Sequence, residues 1–394
     1  MSGISVVGVI IAIVGLGFLI LAHEFGHFVV AKATGMRVEE FSIGFGRFLV
    51  SKRIGETIYG ISVLPLGGYV RVTGMHKEEF EARVAEAREE EAGLQPLGDG
   101  RRAQRRPSDP EDRLAGKRAL SAEEIASTPL ERRYYAHPFW HKLIFIVAGV
   151  VMNMIVAFLL LWGVGGVQGD TVFSTVVASV EPSMPAAAAG LQPGDRIVSL
   201  DGHEMKSFED VHTYIITRPD QPVVIGVERA GKLVELKARI QNVDGAGKLG
   251  FSPESEHRNL GFTASFAYAG RLTGQMVALI FKGIGMMFSG KAPVTGDQGL
   301  AGPVGIIQLS SEAYQGGYYL SLLALISINL AIINMIPLLP LDGGHALFSI
   351  IERVRRRNVS LKVFERISLI GLAIFVLLFI VATSNDIGRI FSGG

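Results

Sequence analysis

From Ile4 to Ala22 the chain carries no charged side chain, and then His23-Glu24-Phe25-Gly26-His27 appears before the apolar character ends. A run of that length crosses a bilayer as a helix, and ionisable groups within it are costly enough to imply a function. Two histidines four residues apart share one helix face and can grip a single metal ion. The intervening glutamate then stands where it can take a proton from an attacking water. The pattern points to hydrolytic metal chemistry at or within a membrane. A secretory leader would begin with positive charge, whereas the first basic residue here is Lys32, after the run. A retained transmembrane helix is therefore expected.

Composition agrees with a chain that crosses the membrane several times. Hydrophobic residues make up 48% and charged residues only 19%, with a mean hydropathy of +0.35. There is no cysteine, which excludes disulfides, thiolate-held zinc and a thiol nucleophile. Any metal must be held by nitrogen and oxygen. No basic patch interleaved with aromatics is present, so nucleic acid is not an expected partner.

Spans are expected at about residues 4–30, 142–164, 319–341 and 363–383. Arginine and lysine collect on the cytoplasmic side of a membrane protein. Arg37, Arg47, Lys52, Arg53, Arg71 and the cluster from Arg101 to Arg106 follow the first span; Arg353, Arg355, Arg356, Arg357, Lys362 and Arg366 follow the third. Both loops are thus expected in the cytoplasm, with the two termini and residues 165–318 outside.

The chain divides further by pattern. Residues 1–33 hold the first helix, and 34–75 alternate like strands punctuated by glycine and Pro65, a membrane-associated β region. Residues 76–137 form a charged insertion, expected as a solvated cytoplasmic spacer with a disordered stretch at 98–113. The second helix occupies 138–167. Residues 171–243 look like a small α/β domain, in which an Ala-rich turn stops at Gly190, Pro193-Gly194 turns the chain, and Arg196–Leu200 forms a strand. Its Ala189-Gly-Leu-Gln-Pro-Gly-Asp-Arg-Ile197 stretch resembles the bacterial type of PDZ domain, a fold that binds extended peptides by strand addition. A linker, 244–318, contains an amphipathic helix at about 262–290. The third segment is 319–344, a basic loop covers 345–362, and the last helix with the C-terminus covers 363–394.

Two histidines do not complete a catalytic zinc site, which uses three protein ligands. Asp342 is the only carboxylate in or bordering the third span. Counting from the outer ends of their spans, His23 and Asp342 lie about 28 and 33 Å along at 1.5 Å per residue, so both approach the same face. Pro337 and Pro340 break that helix before Asp342, so the last stretch is expected to be extended.

Together, His23-Glu24-Phe25-Gly26-His27, Pro65-Leu-Gly-Gly-Tyr-Val70, Ala148-Gly149…Asn153, Gly302-Pro-Val-Gly-Ile306 and Asn334…Leu341-Asp342-Gly343 resemble the site-2 protease family of intramembrane zinc metalloproteases, of the bacterial regulator-of-sigma-E type. Two details depart from that pattern: Val150 replaces a proline, and the second proline before Asp342 is shifted to Pro340. The resemblance implies a polytopic α-helical protein of about four transmembrane helices, with a membrane-associated β-hairpin region and one extracytoplasmic PDZ domain. It implies Zn2+ held by His23, His27 and Asp342, with Glu24 as general base. It also implies a substrate-binding role for Asn153, Asn334, Gly67, Gly68 and Tyr69, the two asparagines supporting substrate or the geometry of the site. The expected substrates are single-span proteins of the bacterial cell membrane, such as anti-sigma factors or signal-peptide remnants. An upstream protease would trim them first, and the PDZ domain would act as a size filter. His345, after two glycines, is expected beside the site rather than in it. A silent scaffold would be free to lose Glu24, and a metal transporter would spread its ionisable groups along a path instead of at one depth.

Overall fold

In the computed structural model, which describes residues 6–75, 80–81, 84–85, 122–243, 245–290, 301–357 and 359–392, the first apolar run forms helix α1 (Val6–Ala33). Its small residues Gly8, Ala12, Gly15, Gly26 and Ala31 are among those buried, so the sides that meet neighbours are those without bulk. After α1 come strands β1 (Val38–Ile54) and β2 (Thr57–Val72). They do not form a simple hairpin. Glu40–Ile43 lies between two parts of β2, pairing with Ile58–Ile61 on one side and Gly68–Arg71 on the other, while Val50–Ile54 pairs with Thr57–Ile61. Among the described residues, the 68–72 segment pairs on one side only, which makes it an edge. Leu49, Val50, Ile54, Val63 and Leu64 project apolar side chains outward from this sheet.

The end of the insertion departs from the expected spacer. Helix α2 (Ala122–Ala126) and residues 127–137 are fastened to the sheet rather than solvated. Arg37 donates to the Glu124 carbonyl and to Thr128 Oγ1, and Arg53 pairs with Glu124 at 2.8 Å. Tyr134 donates its amide to the Thr73 carbonyl and packs its buried ring against Phe145. The stretch expected to be disordered, 98–113, lies outside the described residues.

Helix α3 (Phe139–Gln168) is the second span, and it leads into a separate unit, Trp162–Tyr268. That unit contains β3 (Asp170–Val180), α4 (Pro185–Ala188), β4 (Arg196–Leu200), β5 (His203–Glu204), α5 (Phe208–Ile216), β6 (Pro222–Arg229), β7 (Lys232–Arg239), β8 (Gln241–Val243), β9 (Ala246–Lys248) and β10 (Phe251–Arg258). The main sheet runs β10-β3-β4-β6-β7, with β5 beside β4. The expected span of 171–243 omits β10, which pairs with β3 along its length. The turn signals act at the expected positions: Gly190 and Gly194 have φ of 84° and 89°, and the strand between Arg196 and Leu200 is present. Asp195 of the Gly-Asp pair is buried and takes two hydrogen bonds of 2.7 Å from Arg229, which pins that turn to β6. Val177, Ile197, Leu200, Val211, Ile225, Val227 and Leu249 fill the core.

The chain continues through α6 (Phe262–Phe288), the expected amphipathic helix, and α7 (Pro303–Gln315). The sequence pattern alone leaves α7 inside a linker. Asp386 holds it, accepting hydrogen bonds of 3.0 and 2.8 Å from the amides of Gly302 and Gly305 at the α7 start. Helix α8 (Tyr319–Asn334) has 16 residues, about 24 Å, and stops well before Asp342. Pro337 cannot share a helix turn with the carbonyl of Ile333 and biases Ile336 away from helical geometry. The expected extended stretch is instead a tight turn, in which Ile336, Leu338 and Leu341 donate to the carbonyls of Ile333, Ile336 and Leu338. Asp342 then opens a new helix, α9 (Asp342–Arg355), and α10 (Leu361–Ser392) follows. Among the described helices α1, α3 and α10 are long and apolar enough to cross a membrane, and α8 is a shorter apolar helix.

At the end of α1, Lys32 and Arg132 both bond Glu56 Oε1, at 2.8 and 2.7 Å. Partial burial alone would raise that carboxyl, but the two cations outweigh it and hold it at about 2, below its ordinary 4.5. A depressed carboxyl contributes stability above its unfolded value and loses it as pH falls toward the folded one. Glu56→Gln is therefore expected to lower the thermal midpoint of the detergent-solubilised protein at pH 7, with the difference closing between about pH 4.5 and 2. A difference independent of pH over that window would remove the ion pairs as its cause.

Candidate active site

Helix α1 presents His23 and His27 on one face, both buried, and the start of α9 brings Asp342 to them. Asp342 Oδ2 lies 2.9 Å from His23 Nε2 and 3.3 Å from His27 Nε2, and the two Nε2 atoms are 3.2 Å apart. One donor atom from each residue falls within 4.8 Å of the others, and no other cluster of metal-binding type occurs among the described residues. The three residues named from the sequence thus meet although 319 positions separate the extremes.

The surroundings fit a cation. His27 Nδ1 lies 2.8 Å from the Phe145 carbonyl, which can only accept, so the proton belongs on Nδ1 and Nε2 keeps its lone pair toward the cluster. Gly149 of α3 sits against the same atoms: a Cβ there would lie 2.5 Å from His27 Nε2 and 2.6 Å from His23 Nε2. The space an alanine methyl would fill is kept open beside the converging donors. Two imidazoles and one carboxylate, with no sulfur, form a donor set suited to zinc in a catalytic rather than a structural site.

Glu24 lies beside the cluster, next to the Val70 backbone on the open edge of β2. Gly68 allows that approach, because a Cβ there would lie 2.8 Å from the Ser42 carbonyl and 3.1 Å from Glu24 Cγ. Gly67 precedes it at φ 126°, against the Phe45 ring. Tyr69 is tied back into the sheet, its hydroxyl donating to Glu40 at 2.8 Å. A cavity of about 220 Å³ opens on the cluster, lined by Ile20, Glu24, Leu330, Asn334, Pro340 and Leu341 besides His23 and Asp342. Asn334 Nδ2 reaches within 3.4 Å of His23 Nε2.

Of the two supporting roles expected for Asn153, its contacts bear on the geometry of the site. It is wholly buried, its amide nitrogen 3.3 Å from His23 Nδ1 and its carbonyl accepting from Ser327 at 2.8 Å. Its Oδ1 has no partner among the described residues. Turning the amide over gives that oxygen a donor in the His23 Nδ1–H, which leaves His23 Nε2 free for the cluster. His345 is not a member of the cluster; its ring centroid lies 5.5 Å from that of Phe364. The role of Gly149 as a spacer went unread in the sequence, although the Gly149…Asn153 spacing was an available signal: four residues on a helix share a face.

A membrane protein with HExxH on a spanning helix and a distant carboxylate closing the cluster is a membrane zinc metalloprotease. The model of Peptidase family M50 matches residues 11–378, and the chain belongs to that family, the site-2 protease group its motifs resemble. The zinc metalloprotease RasP of Shouchella clausii is 32% identical over 412 residues, spanning 95% of this chain and 97% of that one. The regulator of sigma-W protease RasP of Bacillus subtilis is 28% identical over 422 residues, spanning 97% and 99%. Among solved structures, the PDZ domain of an SdrC-like protein from Listeria monocytogenes is 26% identical, covering 20% of this chain and 86% of that one, with a TM-score of 0.19.

Gly149→Ala tests whether the space beside the rings matters. Its methyl would meet both imidazoles at 2.5 to 2.6 Å. Zinc affinity of the purified protein is expected to fall by at least about tenfold, the lower end for disturbed metal surroundings. Unchanged affinity would mean that the rings move aside freely.

Proposed function

We propose that this chain is an intramembrane zinc metalloprotease that hydrolyses peptide bonds in or beside the transmembrane segments of single-span membrane proteins. The convergence of His23 and His27, on a helix of membrane-spanning character, with Asp342, Glu24 and an open cavity carries the reading. His23, His27 and Asp342 hold the metal, and Glu24 is the general base. When bound, zinc supplies the Lewis acidity that activates water and polarises a carbonyl. Glu24 takes the proton of the attacking water and passes it to the departing amine. Asn334, at the wall of the cavity, can donate to the carbonyl oxygen as charge builds on it.

A helical substrate hides its peptide bonds in its own hydrogen bonds, so it must be unwound before attack. The edge formed by Gly67, Gly68, Tyr69 and Val70 runs past Glu24 and offers backbone pairing to such an unwound segment. The basic loops support a site near the cytoplasmic face. Because the Bacillus subtilis relative is named as a regulator of sigma-W, membrane-anchored regulators of sigma factors are the first substrates to try.

The deciding experiment reconstitutes the purified full-length protein with single-span substrates, with and without chelator. Chelator is expected to stop cleavage and zinc to restore it. Glu24→Gln is expected to retain zinc and to lose about 10²–10⁴ of the rate, the usual worth of a general base. Cleavage by that variant at the normal rate would end the assignment.

Asn153 is assigned to hold His23 rather than to touch substrate. Asn153→Ala should weaken zinc binding by about 10–100-fold, and Asn153→Asp, which keeps an acceptor, should recover most of it. If zinc affinity stayed constant while KM rose, Asn153 would belong to the substrate instead.

A further inference from the structure

Helix α9 begins at the site, with Asp342 as its first residue, and runs for 14 residues to Arg355. Its two sides differ. Gly343 and Gly344 bury the first turn; beyond it, Ala346 is buried and Phe348 sets its ring 5.5 Å from Phe364 at the start of α10, so one side is packed against protein. On the other, Leu347, Ile350 and Val354 are 38%, 44% and 77% exposed. At about 100° per residue these three fall within a stripe some 60° wide. By the same rotation, Arg353 and Arg355 flank the stripe, one about 60° beyond Ile350 and the other about 80° beyond Leu347. Arg356 ends the helix in the left-handed conformation at φ 52°, and Arg357 follows. All four arginines are exposed.

We infer that α9 is a membrane-surface helix that docks on anionic lipid. An apolar stripe bordered on both sides by long cationic side chains suits the boundary between acyl chains and headgroups, where the stripe enters the hydrocarbon and the guanidinium groups reach phosphate. Four arginines in five positions select an anionic surface over a neutral one, each worth about fivefold in binding near such a surface. A soluble protein partner would also cover an apolar stripe, but the row of like charge along its borders complements a plane of phosphates. The inference does not depend on the proteolytic assignment, since no residue of the stripe or its borders belongs to the metal cluster or lines its cavity.

The natural absence of cysteine makes the test direct. Single cysteines placed by Leu347→Cys, Ile350→Cys, Val354→Cys and, as an aqueous reference, Lys232→Cys carry an environment-sensitive fluorophore. The full-length protein is reconstituted into nanodiscs of phosphatidylcholine alone or with phosphatidylglycerol. In the anionic discs the three α9 probes are expected to be quenched by a water-soluble quencher at least about fivefold more slowly than the reference, with protection reduced by salt. Combining R353Q, R355Q, R356Q and R357Q should abolish the difference between lipids, while zinc content reports that the protein is still folded. Probes quenched as fast as the reference in both lipids, as on a surface kept for a soluble partner, would overturn the inference. So would protection independent of phosphatidylglycerol in the single-cysteine proteins that keep all four arginines. The comparison of probe positions in that background stands even if the arginine variant fails to fold.

Discussion

A carboxylate meeting two imidazoles between apolar helices is the contact on which this structure depends. An isolated charge in such surroundings is prohibitively costly, so Asp342 has to arrive together with groups that suit a cation. His23 and His27 supply lone pairs from α1, and the Phe145 carbonyl sets the proton of His27 on the far nitrogen. The helices must also come close enough for the atoms to meet. Gly26 and Gly149 permit this from opposite sides: a Cβ on Gly26 would lie 2.4 Å from the Ala148 carbonyl, and one on Gly149 would lie among the histidine ring atoms. The HEFGH glycine thereby lets α3 approach the residues on either side of it.

The same need explains the irregular parts of the bundle. Helix α8 stops at Asn334 and turns tightly because Asp342 has to open a helix facing α1 rather than end one that continues past it. Tyr319 donates to the Ile11 carbonyl at 2.7 Å and Ser327 to the Asn153 carbonyl at 2.8 Å, so α8 is tied to α1 and α3 before it releases the chain into that turn. Polar side chains between apolar helices give modest energy each, about 1 kcal/mol, but they select one register among many equally oily ones. Asp386 performs a related task elsewhere, fastening α10 to the start of α7 through two backbone amides.

How much of the fold is legible in the sequence depends on how local each signal is. The metal cluster was legible because ionisable residues in apolar runs are exceptions, and the few exceptions here belong together. The strand at Arg196–Leu200 and the turns at Gly190 and Gly194 were legible because turn chemistry is written in neighbouring residues. Other features rest on partners far away in the chain. The double pairing of Glu40–Ile43 depends on two segments of β2 that alternate alike, and no local period ranks one over the other. The docking of α7 needs Asp386, more than 80 residues on. Residues 122–137 read as the tail of a charged insertion because Arg132 and Glu124 look solvated until Glu56, Arg37 and Arg53 are brought beside them. The sequence put Asn153 near the site but could not assign its face, which depends on helix rotation.

Placing Asp342 at the first position of an amphipathic helix, rather than at the end of a spanning one, has a consequence for how such a site keeps its shape. A spanning helix is held by the bilayer along its whole length, but α8 is only 16 residues long and ends in a turn. The position of the ligand it delivers is then set by the packing of the next turn and helix. Gly343 and Gly344 pack against the Met335, Ile336 and Leu339 backbone with no room for a side chain, so the first turn of α9 and the preceding turn move as one piece. Gly371 of α10 closes on the Leu339 carbonyl from the other side, again with no space for a Cβ. The loop carrying Asp342 is thus gripped by bare backbone on two faces, which suits a residue that the proposed proteolysis would require to stay fixed beside the edge of the sheet.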